Sequence, residues 1–272
     1  NGAQRVFPDA QLVRVPVADG GDGTLDALVN ATDGAFHETK ISGPLGPPID
    51  ARWGVLGDGV TAVIEAAQAC GLALLSNDER NPLITSTFGV GQLIKQALDA
   101  GYRKMLIGLG GSSTNDGGAG LAMALGARLL DANAKSITLG GQALLNLKAI
   151  DLFGIDPRLQ ETDLIIATDV TNPLCGPTGA SATFGPQKGA SLGDVATLDS
   201  ALAHLAGILK KDIGVAVMDM PGGGAAGGMG AGLVAFLGAK IEWGADIVCE
   251  TVGLDGHLAN ADLVITGEGR LD

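Results

Sequence analysis

The chain has 272 residues, 46% of them hydrophobic, enough to build the core of one large domain or two smaller ones. A net charge of −13, an aromatic content of 3% and the lack of any Lys/Arg cluster exclude a protein that tracks nucleic-acid phosphates or stacks on bases. Glycine takes 44 of the 272 positions, well above the usual share of ~7%, with neither a collagen period nor a poor apolar content. These glycines fall in short runs between apolar segments, so they mark special backbone positions.

Taken in chain order, residues 12–17 (LVRVPV) predict a strand that leads into the loop Ala18-Asp19-Gly20-Gly21-Asp22-Gly23-Thr24, and residues 24–32 predict a helix. Residues 38–65 alternate in short pieces between Gly/Pro turns, the pattern of a small antiparallel or mixed sheet. Val90, Leu93, Ile94, Ala97 and Leu98 share a helical face that Gly101 ends. A strand over 104–109 (KMLIGL) then runs into Gly110-Gly111-Ser112-Ser113-Thr114-Asn115-Asp116-Gly117-Gly118. A helix over 118–125 follows, with Asn115 or Asp116 as its N-cap and Gly126 as its end. A strand over 163–168 (DLIIAT) leads into Asp169-Val170-Thr171-Asn172-Pro173, and a further helix covers 198–211. Residues 221–232 (PGGGAAGGMGAG) read as a loop opening a small-residue helix. A last strand over 262–266 (DLVIT) ends in Gly267-Glu268-Gly269-Arg270. Near-continuous Val/Ile/Leu strands are those of a parallel sheet covered on both faces.

In open α/β sheets ligands bind beyond the carboxyl ends of the strands, so the four loops can converge on one cleft. Asp19, Asp169 and Glu268 lie close to the predicted strand ends, and Asp116 comes later, near a helix start. Carboxylates gathered in one cleft repel unless a cation intervenes, and a hard Mg²⁺ ion shared with substrate phosphates is the economical solution. Each Asp alone also reads as a turn or capping residue. The run Gly110 to Ser113 before a helix is a phosphate cradle or a tight turn; it matches neither the Walker A pattern nor a strict GxGxxG. Lys188 and Arg270 are either solvated loop charges or contacts to an anion. His37, His204 and His257 are isolated, no GxSxG elbow is present, and Cys70, Cys175 and Cys249 form no metal or redox pattern. The sparse cysteines suit a cytoplasmic protein, and no apolar run approaches the ~20 residues of a membrane span.

The stretches PVADGGDGT (16–24), GLGGSSTNDGGAG (108–120), DVTNPLCGPTGASATFGPQKGA (169–190), PGGGAAGGMGAG (221–232) and VITGEGRLD (264–272) strongly resemble the type I glycerate kinases of bacteria. The resemblance implies two α/β domains with an interdomain cleft, one Rossmann-like with a mostly parallel sheet, the other with a mixed sheet. Residues 1–35 and 262–272 would belong to the discontinuous Rossmann-like domain, and 36–261 to the second domain with the Gly-rich loops. The family opens with a further strand and an APDSFKGS-like loop and continues past GEGRLD, so the resemblance implies an internal stretch of a longer protein. Asp22 stands where the family usually has Glu.

The implied activity is transfer of the γ-phosphoryl of ATP to glycerate, with Mg²⁺, giving 2-phosphoglycerate. Metal contacts would come from Asp19, Asp22 and Glu268, with Asp169 a further candidate, and Asp169 or Asp116 would take the hydroxyl proton. Lys188 or Arg270 would pair with the substrate carboxylate or the moving phosphoryl group. Gly110, Gly111, Ser112, Ser113, Thr114, Asn115, Asn172, Gly222, Gly223 and Gly224 would cradle phosphates or substrate. The alternatives are a non-catalytic module that binds a nucleotide or phosphorylated acid, 3-kinase regiochemistry, and a phosphate-dependent acyltransferase.

Overall fold

The computed structural model describes residues 2–18 and 20–267. The strands are β1 (Ala35–Ser42), β2 (Pro48–Val55), β3 (Thr61–Glu65), β4 (Lys104–Gly108), β5 (Arg128–Leu130), β6 (Ala149–Asp151), β7 (Asp163–Ala167) and β8 (Lys240–Glu242). The helices are α1 (Gly2–Val6), α2 (Thr24–Ala31), α3 (Ala67–Cys70), α4 (Phe88–Asp99), α5 (Ala119–Ala124), α6 (Ala180–Phe184), α7 (Leu192–Asp212), α8 (Ala225–Leu237), α9 (Gly244–Thr251) and α10 (Leu254–Leu258). A mixed sheet has the order β1-β2-β3-β4-β7-β8, antiparallel from β1 to β3 and parallel from β3 to β8. The pieces expected over 38–65 are therefore the antiparallel flank of the main sheet, and β5 and β6 form a separate two-stranded ribbon.

Both faces of β3, β4 and β7 are buried, which explains their unbroken apolar runs. Ala62, Ile64, Met105, Ile107, Leu164 and Ile166 face α4, α5 and α8, whereas Val63, Leu106, Ile165 and Ala167 face α2 and α9. A third layer, α7 with the β5–β6 ribbon, packs outside α5 and α8 through Leu202, Leu205 and Leu209. Helix α7 starts with a capping box in which Ser191 and Asp194 satisfy each other's amides. It is the one described helix long and apolar enough to cross a membrane by length and composition, yet Leu198, Leu202, Leu205 and Leu209 bury its apolar side in the core. Helix α2, inside the stretch 1–35 assigned above to a separate domain, packs Leu25, Leu28 and Val29 onto this sheet.

Two expected strands do not form. Residues 11–18 and 263–267 are irregular, with Val13, Val17, Leu263 and Ile265 exposed, and no described strand pairs with them. An apolar run is not sufficient for a strand, because extended backbone is fixed only by a neighbour that completes its hydrogen bonds.

Helices α4 and α5 approach so closely that a methyl group on Gly91 would overlap the Leu121 carbonyl oxygen and lie 2.7 Å from the Ala124 Cβ. Gly91→Ala is therefore expected to destabilise the fold by about 1–3 kcal/mol despite its better helix propensity, as measured by chemical denaturation.

Candidate active site

The carboxyl ends of three parallel strands lie level, since Glu65 pairs with Gly108 and Gly108 with Ala167. The chain leaves β4 as the loop 109–118, and this loop is tied down along most of its length. Gly110 donates its amide to the Gly20 carbonyl (2.9 Å), Leu72 donates to the Gly111 carbonyl (2.8 Å), and the Ser113 amide (2.7 Å) and hydroxyl (2.8 Å) both donate to the Cys70 carbonyl. Thr85 Oγ1 donates to the Ser113 carbonyl (2.9 Å) and Asn115 Nδ2 to Ser181 Oγ (3.0 Å). Ser113, Thr114 and Asn115 are fully buried by these contacts and do not reach the cleft proposed for them. Leu109, Gly110, Gly111 and Ser112 are the residues of this loop that line it. The amides of Gly111 and Ser112 have no hydrogen-bond partner among the described residues.

Lys188 is neither a solvated charge nor at the cleft's rim. The turn Pro186–Lys188, closed by Gly189 at φ 94°, sends its side chain inward until the residue is 2% exposed. Its Nζ donates to Ser112 Oγ (3.0 Å) and to the Thr114 carbonyl (2.7 Å). An ammonium has three N–H groups, so one is left for an anion in the cleft that Lys188 lines. Burial pulls its pKa down from 10.5 to about 8, against the pull of Cys70 and Asp116.

The remaining walls come from the other loops. Gly20, at φ 93°, lies so close to the Ala167 carbonyl that any side chain would collide with it, and Gly21 lies against Gly110. This brings the exposed Asp22 over Gly111, at φ 70°, where a Cβ would occupy the place of the Asp22 carboxylate. Beyond β7, Thr168 and Val170 line the cleft, whereas Asp169 between them does not. Its Oδ1 accepts from the Gly244 (2.8 Å) and Ala245 (3.3 Å) amides, capping α9. Ala225 and Ala226, with Phe184 and Gln187, complete a cleft of about 110 Å³. That holds a phosphoryl group or a three-carbon acid rather than a whole nucleotide, which needs a pocket nearer the usual ~300 Å³ or more. A larger cavity of about 370 Å³ lies at the opposite ends of the strands, by Thr61 and Lys104, where no Gly-rich loop reaches.

Several expected site residues serve the scaffold instead. Asp116 is buried, and its carboxylate accepts from the Thr87 amide (2.9 Å) and hydroxyl (3.0 Å) and from the Gly118 (3.2 Å) and Gly120 (3.3 Å) amides. Burial raises its pKa and these bonds lower it, and the carboxylate does not line the cleft. It caps α5, the bland reading of this residue. Asn172 donates from Nδ2 to the Thr178 carbonyl (2.8 Å) and takes the Gly224 amide on its own carbonyl (3.0 Å). Gly222, Gly223 and Gly224 are buried packing positions; the cleft is reached just after them, at Ala225 and Ala226, and the φ of 52° at Ala226 is unusual for a residue with a side chain. Asp19, Glu268 and Arg270 lie outside the described residues.

A model of the glycerate kinase family matches residues 1–272. The chain belongs to this family. It is an enzyme of that kind, with ATP as the phosphoryl donor a kinase implies. Over its whole length it is 53% identical to the glycerate 2-kinase of Escherichia coli K12 and 52% identical to the glycerate kinase of Bacillus subtilis 168, spanning 71% of each. A solved structure described as a "putative glycerate kinase 2" from Salmonella typhimurium LT2 is 50% identical, with a TM-score of 0.90, and the match covers 72% of that chain.

Strand periodicity hides Glu65, since TAVIE reads as a plain strand; it is a buried carboxylate at the end of β3 that bonds the Gly23 and Leu25 amides rather than lining the cleft.

For Lys188 the folded pKa lies below the unfolded one, so between about 8 and 10.5 the unfolded chain binds more protons and folding stability rises with pH. Wild type is expected to gain stability relative to Lys188→Met across that window, measured by urea denaturation at stepped pH. A flat difference would contradict a buried ammonium.

Proposed function

We propose that this enzyme transfers the γ-phosphoryl group of ATP to the 2-hydroxyl of D-glycerate, forming 2-phosphoglycerate and ADP in the cytoplasm. The observation that carries this reading is the buried Lys188 ammonium, held against the Gly110–Ser112 turn beside the Gly111 and Ser112 amides, which have no partner among the described residues. Phosphoryl transfer runs through a loose transition state whose charge is spread over three oxygens, and the protein's part is to position and neutralise. Gly111 N–H, Ser112 N–H and the third Lys188 N–H supply fixed donors of that kind. The 2-position follows from the similarity to the Escherichia coli glycerate 2-kinase.

Mg²⁺ fits the donor set in the way kinases use it, through one or two carboxylates with the remaining sites on phosphate and water. The exposed Asp22 carboxylate over Gly111 is such a donor, and Asp19 and Glu268 are assigned to the same ion. When bound, Mg²⁺ neutralises phosphate charge; the chain's own residues orient the acceptor hydroxyl and keep water from the small cleft. Arg270 is retained as a partner for the substrate carboxylate, and residues 1–35 with 262–272 as part of a second, Rossmann-like domain.

Release of ADP that requires both glycerate and Mg²⁺, with ³¹P NMR of the product, tests the reading. Glycerate-dependent 2-phosphoglycerate is expected; tight ATP binding without turnover would leave a binding module, and 3-phosphoglycerate would correct the regiochemistry. Asp22→Asn is expected to raise the Mg²⁺ requirement about 10-fold or more. Asp169→Asn keeps an acceptor for the α9 amides, so turnover within a few-fold of wild type is expected, and a collapse at unchanged stability would restore Asp169 as the base.

A further inference from the structure

Glu65 ends β3, is 3% exposed, and makes no ion pair among the described residues. Its Oε2 accepts two amides, from Gly23 (3.1 Å) and Leu25 (2.9 Å), the residues flanking the first position of α2. Those amides are among the orphan donors of a helix start, and α2 has no side-chain cap of its own. The buried carboxylate takes that role from a distant strand. The loop it holds is the one that carries Asp22. On its other side the same loop is pinned by the Gly20 carbonyl, which accepts from Gly110, and by the packing of Gly20 on Ala167. Asp22 thus stands over Gly111 between two anchors, one on β4 and β7 and one on Glu65.

We infer that Glu65 is a positioning residue, whose hydrogen bonds to Gly23 and Leu25 set where the Asp22 carboxylate stands at the mouth of the cleft. The kinetic consequence rests on the kinase reading above; the structural one does not. A stabilising cap alone would change stability and leave turnover per folded molecule untouched. A role for the charge would be kept by Glu65→Asp and lost in Glu65→Gln. Positioning reverses that order, because Gln keeps an acceptor at the same reach while Asp withdraws it by one methylene.

The test compares kcat and KM of Glu65→Gln, Glu65→Asp and Asp22→Asn, and of Asp22→Asn combined with Glu65→Asp, alongside hydrogen exchange at the Gly23 and Leu25 amides. Glu65→Gln is expected within about 3-fold of wild type, and Glu65→Asp to lose up to about 100-fold in kcat, the scale of a misplaced catalytic constellation. In the Asp22→Asn background Glu65→Asp should cost little more, since a residue acting through another is not additive with it. Exchange at Gly23 and Leu25 should stay slow in Glu65→Gln and quicken about 10-fold or more in Glu65→Asp. Wild-type kcat in Glu65→Asp, or losses that add fully to those of Asp22→Asn, would overturn the inference. If wild type itself does not turn over glycerate, the kinase reading fails, and unaltered exchange in Glu65→Asp would separately refute the anchoring.

Discussion

Everything at this site depends on how closely the backbone of residues 20–23 lies over the carboxyl ends of β4 and β7. Gly20 touches the Ala167 carbonyl and gives its own to the Gly110 amide, Gly21 lies on Gly110, and Asp22 lies on Gly111. No side chain longer than hydrogen fits against the backbone at Gly20, and a Cβ at Gly111 would displace the Asp22 carboxylate; both positions also hold positive φ. The glycine excess is thus the condition for stacking three loops within one hydrogen-bond layer, with conformational entropy as its cost.

The second constraint is electrostatic. An acidic chain that handles phosphates needs local positive charge, and here it comes from one buried lysine rather than a basic surface. Lys188 is held by neutral acceptors, Ser112 Oγ and the Thr114 carbonyl, so its charge is oriented without being neutralised. Burial weakens it as a base, to about 8, yet leaves it largely protonated near neutrality. The same burial raises Asp116 and pushes the Cys70 thiol up to about 12, which makes Cys70 an inert packing residue.

Much of the frame was legible in residue pattern. The parallel strands β4 and β7, the apolar face of α4 and the Gly101 and Gly126 stops follow from period and from single glycines, because those signals are local. The segments 12–17 and 262–266 carry the same apolar signal but form no strand, because a strand is a property of a pair. Site roles were less legible for a related reason. Asp116, Asn115 and Asp169 occupy loop positions that suit catalysis and capping equally, and only the neighbouring amides of Gly118, Gly120, Gly244 and Ala245, or the Ser181 hydroxyl, decide between them. Lys188 stood out in the sequence as a candidate anion contact, but its burial, like the contact Glu65 makes across 42 residues, is set only by the fold.

The central claim is that the transferred phosphoryl group sits at the Gly111–Ser112–Lys188 corner, under Asp22. A crystal structure with a non-hydrolysable ATP analogue, Mg²⁺ and glycerate tests it most directly. The terminal phosphate is expected within hydrogen-bond reach of Lys188 Nζ and the Gly111 and Ser112 amides, with Asp22 on the ion. A terminal phosphate bound elsewhere, such as the larger cavity by Lys104 and Thr61, would contradict it.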